Sequence, residues 1–400
     1  MTKMAMAHGM DGTLVEPDWP PLTLDEVRAL LCRFPCCGEP IRILSVSPRP
    51  FSAASVAAAA GQRVFIKRHH KAVRDREGLL EEHRFLGYLH ARGASVPQVL
   101  ADASGETAIE SGEWTYEVHQ APAEADLYED ALSWTPFASA AHARSAGRML
   151  ARLHRSAQGF AAPPRRPRPL VAGFTIFSSA RPGAALQDYL AARPALGNFL
   201  SGSEACGKAL DLLAPFHARF LPLAPSLASL WTHNDLHASN LLWSGDGPDA
   251  QATMVIDFGL AERTHAVHDL AVAIERNIVE WLALAEHSAR PEEVPVHLDH
   301  LMALLNGYQQ VSPLAEEEAA ALAPVTALCH AEFALSEADY FLRVLRSEEK
   351  ARVAVEDYLL GHARWFRSAG GCRLLDAIDR WVERRRTAAE PVGAEEQCTG

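Results

Sequence analysis

Apolar positions follow two periods along this chain, a short extended one up to about residue 120 and a helical one beyond it. Ile41 to Val46, Ala53 to Ala59 and Val64 to Lys67 are extended runs punctuated by Pro48, Pro50 and Gly61, the pattern of strands joined by tight turns. Leu79, Leu80, Phe85, Leu86 and Leu89 then recur at helical intervals, with Gly93 where a C-cap belongs. A helix is therefore expected from about Arg74 to Arg92. Val96 to Leu100 reads as the start of a further strand, and two more are expected near Glu106 to Glu110 and Trp114 to His119. Ahead of them, Thr23 precedes Leu24, Asp25, Glu26, Val27, Leu30 and Leu31, an N-cap with acids in the first turn of a short helix that Pro35 and Gly38 end.

Beyond Gln120 the helical period dominates. Phe137 to Gln158, Leu186 to Leu190 and Ala205 to Phe220 predict helices, and four or five more are expected between Val267 and about Arg385. The proline- and arginine-rich stretch from Ala162 to Pro169 is a loop. One polar island, within Leu230 to Ile256, interrupts the helices. The expected architecture is α+β and bilobal, with a small β-rich lobe over residues 23–120 and a large helical lobe over 121–387. A leader at 1–22 and a disordered tail at 388–400 flank them.

Composition narrows the function. The chain has 400 residues, 48% hydrophobic and 22% charged, values of a globular protein and not of a disordered or collagenous one. Its formal net charge of −12 argues against binding a phosphate backbone, so no nucleic acid is expected as a partner. No run of apolar residues reaches the ~18 needed to span a membrane, and the N-terminus lacks the pattern of a secretory signal. Seven scattered cysteines, an odd number, read as reduced thiols in the cytoplasm. Cys32, Cys36 and Cys37 lack the second ligand pair that a zinc site requires.

The island carries the chemistry. It reads Trp231-Thr232-His233-Asn234-Asp235-Leu236-His237-Ala238-Ser239-Asn240-Leu241-Leu242-Trp243, and Asp257 follows in Val255-Ile256-Asp257-Phe258-Gly259. Leu241 to Trp243 and Met254 to Ile256 would pair as a hairpin across Gly245-Asp246-Gly247-Pro248, bringing Asn240 and Asp257 close in space. Two carboxylates and an amide that converge require a cation, and oxygen ligands select a hard one such as magnesium. In the first lobe, Lys67 ends a strand and Glu82 lies on the following helix, a device for presenting a fixed cation to phosphate oxygens.

The order strand Lys, helix Glu, H-x-D-x-x-x-x-N and D-F-G resembles the protein-kinase-like fold, and His233-Asn234-Asp235-Leu236-His237 with Asn240 resembles the aminoglycoside phosphotransferase/choline kinase superfamily. The resemblance spans about residues 43 to 285. It implies Asp235 as catalytic base and Asn240 and Asp257 as magnesium ligands. Lys67 would contact the ATP phosphates, oriented by Glu82 or, with the helix turned by one residue, by Glu81. His233 would support the catalytic loop and Asp269 would brace it. The segment from Glu117 through His119 to Ala121 would be the hinge that binds adenine. In place of a glycine-rich loop the chain has Ser47-Pro48-Arg49-Pro50-Phe51-Ser52-Ala53-Ala54-Ser55, where hydroxyls such as that of Ser52 and backbone amides would cover the phosphates.

The implied activity is ATP- and magnesium-dependent phosphoryl transfer to a hydroxyl of a small acceptor: an amino alcohol, a hydroxy amino acid or an aminoglycoside. The competing reading is a catalytically silent nucleotide-binding module. Other features have plain structural readings: His69-His70-Lys71 as a solvated turn, Trp134 as a core anchor as much as a cleft residue, and Glu275-Arg276-Asn277, which follows the metal loop on a helix and could face the acceptor, more commonly as a half-exposed helix face with its charges in solvent. On oligomeric state the sequence is silent.

Overall fold

The computed structural model describes residues 17–47, 50–284, 287 and 290–389. The expected leader up to residue 16, the tail from 390, and Pro48 and Arg49 lie outside the described residues. The chain forms two lobes. The first holds α1 (Leu24–Leu31), β1 (Pro40–Val46), β2 (Ala53–Ala59), β3 (Gln62–His70), α2 (Arg76–Ala91), β4 (Ile109–Ser111) and β5 (Trp114–Gln120). Its strands make one antiparallel sheet in the order β1-β2-β3-β5-β4. Thr23 and Glu26 form a reciprocal capping box that starts α1, and the Asp75 side chain caps α2 through the Gly78 amide at 2.8 Å.

Alternation along β3 and β5 decides what meets the cleft. Val64 and Ile66 point into a small core with Val27, Leu30, Leu31 and Phe34 of the α1 region. Phe65, Lys67 and His69 take the opposite face, in register with His119, Glu117 and Thr115 of β5. Val96 to Leu100 is not a full strand. Pro97 has no amide to donate, and the segment keeps one bridge, Val99 to His119, flanked by Leu100 N–H to Val118 C=O at 2.8 Å. The His69-His70-Lys71 reading also changes: β3 runs on to His70, and His69 is buried.

The second lobe runs through α3 (Ala140–Ala157), α4 (Pro182–Ala191), α5 (Pro194–Leu200) and α6 (Ala205–Phe220) to four short strands, β6 (Ser229–Thr232), β7 (Leu241–Trp243), β8 (Ala252–Val255) and β9 (Glu262–His265). Then come α7 (Ala266–Ile278), α8 (Leu298–Val311), α9 (Glu316–Leu328), α10 (His330–Arg343), α11 (Glu348–Val353), α12 (Leu360–Phe366) and α13 (Ala369–Ala389). The helices outnumber the four or five expected because rods are interrupted. Cys329 breaks α9 from α10, and a π-turn over Ala354–Leu359 joins α11 to α12. The Glu316–Arg343 stretch is long and apolar enough to cross a membrane by length and composition, but 94% of its most apolar window is buried inside this lobe. It is the lobe's core rod.

The closest helix crossing is that of α3 over α8. Gly147 and Gly307 face each other there, and a Cβ on either would fall inside the van der Waals shell of the carbonyl oxygen opposite, that of Leu304 or Arg144. The crossing matters for the site because it presses His154 of α3 against Tyr308 of α8, with a 2.8 Å hydrogen bond between them. Gly147→Ala should therefore cost about 1–3 kcal/mol by overpacking, measured as a lowered denaturation midpoint in urea. An unchanged midpoint would mean the two helices are free to separate.

Candidate active site

Strands β6 and β9 pair antiparallel and hold the two ends of the polar island, while β7 and β8 form the expected hairpin with Leu241 opposite Val255. Between them the loop from His233 to Asn240 is fastened from behind by α7. Asp269 accepts the His233 amide at 2.8 Å and the Asn234 amide at 2.7 Å, and His154 donates to it at 2.9 Å. Asn277, one helical face further on, accepts the Ala238 amide at 2.8 Å and donates to the Leu236 carbonyl at 2.8 Å. His233 Nε2 donates to the Ile256 carbonyl at 2.9 Å, so its Nδ1 is the acceptor for the Asp235 amide at 3.2 Å. His233 thus ties the two halves of the site together through backbone atoms. Asn234 and Asp257 both have left-handed backbones, φ 62° and 60°, conformations that persist in non-glycine residues only where surroundings enforce them.

Lys67 reaches this loop from the other lobe. Its Nζ lies 2.9 Å from Asp257 Oδ1, across 190 residues of sequence. Burial alone would lower the lysine's pKa, but Asp257, Glu117 and Glu82 together raise it. The Asp257 carboxyl, which burial pushes upward, is brought well below the usual carboxylate range by Lys67.

Glu82 departs from its expected place. Its carboxylate receives Arg74 Nε at 2.7 Å and an Arg165 terminal nitrogen at 2.6 Å, and Lys67 is not among its hydrogen-bond partners. Glu81 pairs with Arg165 and Arg168 at 3.4 and 2.9 Å, so neither helix acid holds the lysine. The reason is local supply: the turn after β3 brings Arg74 and the proline-rich loop brings Arg165, and the two guanidinium groups converge on one oxygen of the carboxylate. Glu82 reaches Lys67 only through its field.

Glu117 and His119, at the start of the segment expected to bind adenine, lie within β5 and line the cleft. Residues 117–119 are paired with β3 on one side, and Val118 and His119 meet the 99–100 segment on the other. Their side chains carry the contact with the cleft: the Glu117 carboxylate accepts from His69, His83 and His119 at 3.0, 2.9 and 2.8 Å. Burial pushes that carboxyl up, but the imidazoles outweigh it and hold it well below its ordinary range. Ser52 is buried at the cleft. The segment expected to cover phosphates is described only on either side of Pro48 and Arg49.

Two cavities meet at this point. One, of about 300 Å³, lies between the sheet and β7 and is lined by Phe65, Glu117, His119, Ala121 and Ile256. The other, of about 130 Å³, lies deeper in the helical lobe and is lined by Trp134, Asp235, Arg276, Phe333 and Glu337. Ser52, Lys67, Asn240 and Asp257 line both. Phe51 and Pro50 roof the smaller cavity, held by Asp18 N–H to the Pro50 carbonyl and Trp19 Nε1–H to the Phe51 carbonyl, each 3.1 Å, with the Phe51 ring against Tyr340.

The donor set fits a hard divalent cation. Asn240 turns its amide nitrogen toward the Asp235 carbonyl at 2.9 Å, which leaves Oδ1 as the atom to offer a metal. Asp257 commits Oδ1 to Lys67 and the Gly259 amide, leaving Oδ2. Oxygen donors without nitrogen or sulfur select magnesium or calcium. Asp235 stands beside them, its pKa pushed up to about 6 by burial against the opposing pull of Arg276.

Several residues here are signalled only weakly in the sequence. Glu275-Arg276-Asn277 is fully buried, contrary to a half-exposed face, because α7 is apolar nearly all round and its polar residues turn inward to the loop. Trp134 is both buried and at the cavity wall. Arg165 sits in a stretch whose prolines and charges read as solvated, and Glu337 is one acid among many on helices.

The family model described as "Phosphotransferase enzyme family" matches residues 51–290. Among curated proteins no relative matches the chain. Among solved structures the chain is similar to a microcompartment-associated aminopropanol kinase, with a TM-score of 0.58 and 18% identity over 88% of this chain and 100% of that one. It is similar to an aminoglycoside phosphotransferase from Alicyclobacillus acidocaldarius, with a TM-score of 0.51 and 15% identity over 92% and 98%. A thermostable mutant of an aminoglycoside phosphotransferase, in ternary complex with ADP and hygromycin B, gives 0.50 and 13% over 86% and 99%. At these identities the likeness is one of fold, the two-lobed protein-kinase-like architecture.

The loop's dependence on α7 can be measured. Asp269→Ala leaves two loop amides and an imidazole N–H buried without acceptors, at about 1–3 kcal/mol each. Urea unfolding should show a loss on the order of 3 kcal/mol or more, and a loss under about 1 kcal/mol would show that the loop does not hang on Asp269.

Proposed function

The chain belongs to the phosphotransferase enzyme family, and from that premise we propose that it is an ATP- and magnesium-dependent kinase of a small molecule bearing a hydroxyl. One observation carries the reading: the two cavities share a wall made of Ser52, Lys67, Asn240 and Asp257, and the half-buried carboxylate of Asp235 lies on the far side of that wall only. A nucleotide in the larger cavity and an acceptor in the smaller one would meet at that wall.

The residues divide the work. Asp235 takes the proton of the acceptor hydroxyl as its oxygen bonds to the γ-phosphorus and the bond to the β,γ-bridging oxygen breaks, giving a phosphate ester and ADP. Lys67 presents its ammonium to the phosphate oxygens, and Asn240 and Asp257 would hold magnesium. When bound, that ion neutralises charge on the β- and γ-phosphates. His233, Asp269 and Asn277 keep Asp235 in place, which is where a positioning reaction gains most of its rate. The acceptor belongs to the amino alcohol, hydroxy amino acid or aminoglycoside class.

Asp235→Asn should lower kcat by roughly 10²–10⁴ while Mg-ATP still binds. Turnover near that of the unaltered protein would remove Asp235 from the reaction and leave a nucleotide-binding module. The pH profile gives a second check. Asp235 works deprotonated, so kcat/KM should level off above its pKa of about 6 and fall about tenfold per pH unit below it. A rate that stays flat down to about pH 4.5 would contradict the assignment.

A further inference from the structure

Arg276 is a buried cation of the smaller cavity. It is 3% exposed. Its guanidinium packs on two aromatic rings, 4.0 Å from the centre of the Trp134 ring and 4.5 Å from that of Phe333. Such packing fixes the plane of the guanidinium and leaves its N–H edge to meet a polar group. No hydrogen bond uses those donors among the described residues. The nearest carboxylates are Asp235 at 3.4 Å and Glu275 at 3.7 Å, and Nε is buried without a partner. A buried, stacked, planar fork of unused donors matches a carboxylate.

Glu337 lies on the same cavity wall and has the opposite character. It is 6% exposed and makes no hydrogen bond or ion pair among the described residues. Burial lifts its pKa to about 7 against the pull of Arg276, so an arriving ammonium would find a carboxyl ready to ionise. The cavity's volume of about 130 Å³ is well below the ~300–1,000 Å³ of sites for drug-sized ligands. That excludes a multi-ring acceptor from being enclosed here and favours one of a few heavy atoms.

We propose that the acceptor is a small zwitterion, a hydroxy amino acid, with its carboxylate on the Arg276 fork, its ammonium on Glu337 and its hydroxyl at Asp235. The proposal rests on the phosphotransferase reading of the site and selects among its acceptor classes. Arg276 and Glu337 are then specificity residues: a cationic amino alcohol leaves the arginine fork unpaired, and a hydroxy acid without an amine leaves the glutamate unpaired. The reaction balances as before, with the product an O-phosphorylated amino acid and ADP.

The test uses the full chain with Mg-ATP, measuring ADP release and the phosphate ester by phosphorus NMR. Matched sets serve as probes: L-serine, ethanolamine and 3-hydroxypropionate; L-threonine, 1-aminopropan-2-ol and 3-hydroxybutyrate; L-homoserine, 3-aminopropan-1-ol and 4-hydroxybutyrate. In at least one set the hydroxy amino acid should be phosphorylated with kcat/KM at least about 100-fold above both analogues, the scale set by leaving a buried polar group unpaired. Arg276→Gln should collapse the preference for the hydroxy amino acid over its amino alcohol at least about tenfold, and Arg276→Lys should restore part of it. Because that readout is a ratio, a general loss of catalysis in the variant does not mimic it. An amino alcohol used as well as its parent amino acid overturns the proposal, as does a protein that binds Mg-AMP-PNP in calorimetry yet phosphorylates none of the three amino acids. Absence of Mg-AMP-PNP binding is a different failure, that of the phosphotransferase reading itself.

Discussion

One ion pair organises this molecule. Lys67, at the cleft face of a five-stranded sheet, meets Asp257, at the end of a hairpin in the helical lobe, at 2.9 Å. Burial pushes the lysine toward its neutral form and Asp257 reverses that shift, while Lys67 holds the partly exposed Asp257 carboxyl well below its usual range. The pair is therefore a joint between lobes as well as a charge arrangement. Everything reactive lies within reach of it, since the residues common to both cavities are these two with Ser52 and Asn240.

A joint of this kind works only if both sides are stiff. On the sheet side, register supplies the stiffness. Lys67 stands opposite Glu117, whose carboxylate is locked by three imidazoles, and Glu82 behind it is locked by two arginines. On the helical side, a hydrogen-bonded chain runs from Tyr308 through His154 and Asp269 to the amides of His233 and Asn234. The left-handed backbones of Asn234 and Asp257 are held by that chain and by the hairpin. Hydrogen-bonded buried networks of this kind favour one arrangement, although His119 Nδ1 is left without a partner in the sheet-side one. Here the arrangement is a carboxylate, an amide and an ammonium around one point.

Much of this was legible from residue order. Lys67 ends a run with strand alternation, and Asp235, Asn240 and Asp257 sit in short polar gaps between apolar flanks, a pattern that local physics makes visible. The partners of Glu82 were not. Pairing is decided by which cations arrive in three dimensions, and Arg165 comes from a proline-rich loop about eighty residues away along the chain. The strand-edge pairing was not legible for a related reason. Alternation places Glu117 and His119 on the cleft face, yet only the 98–100 segment, folding back beside β5, shows that the Val118 carbonyl and the Gln120 amide are spent there. Glu337 is illegible from sequence because a helix buried on all sides has no polar face to betray which charges turn inward, whereas Arg276, on the helix after the metal loop, could be read as facing the acceptor but not as buried.

The account's central claim is that Lys67 and Asp257 form the point where a metal-bound triphosphate is gripped. Calorimetric titration of the full chain with AMP-PNP, in magnesium and again in excess EDTA, tests it most directly when repeated on Asp257→Ala. Binding to the unaltered protein should weaken by at least about tenfold on removal of magnesium, a loss of about 1.4 kcal/mol, and the variant should bind weakly with no difference between the two conditions. Equal affinity in magnesium and EDTA for the unaltered protein, or a variant that keeps the full magnesium effect, would contradict it.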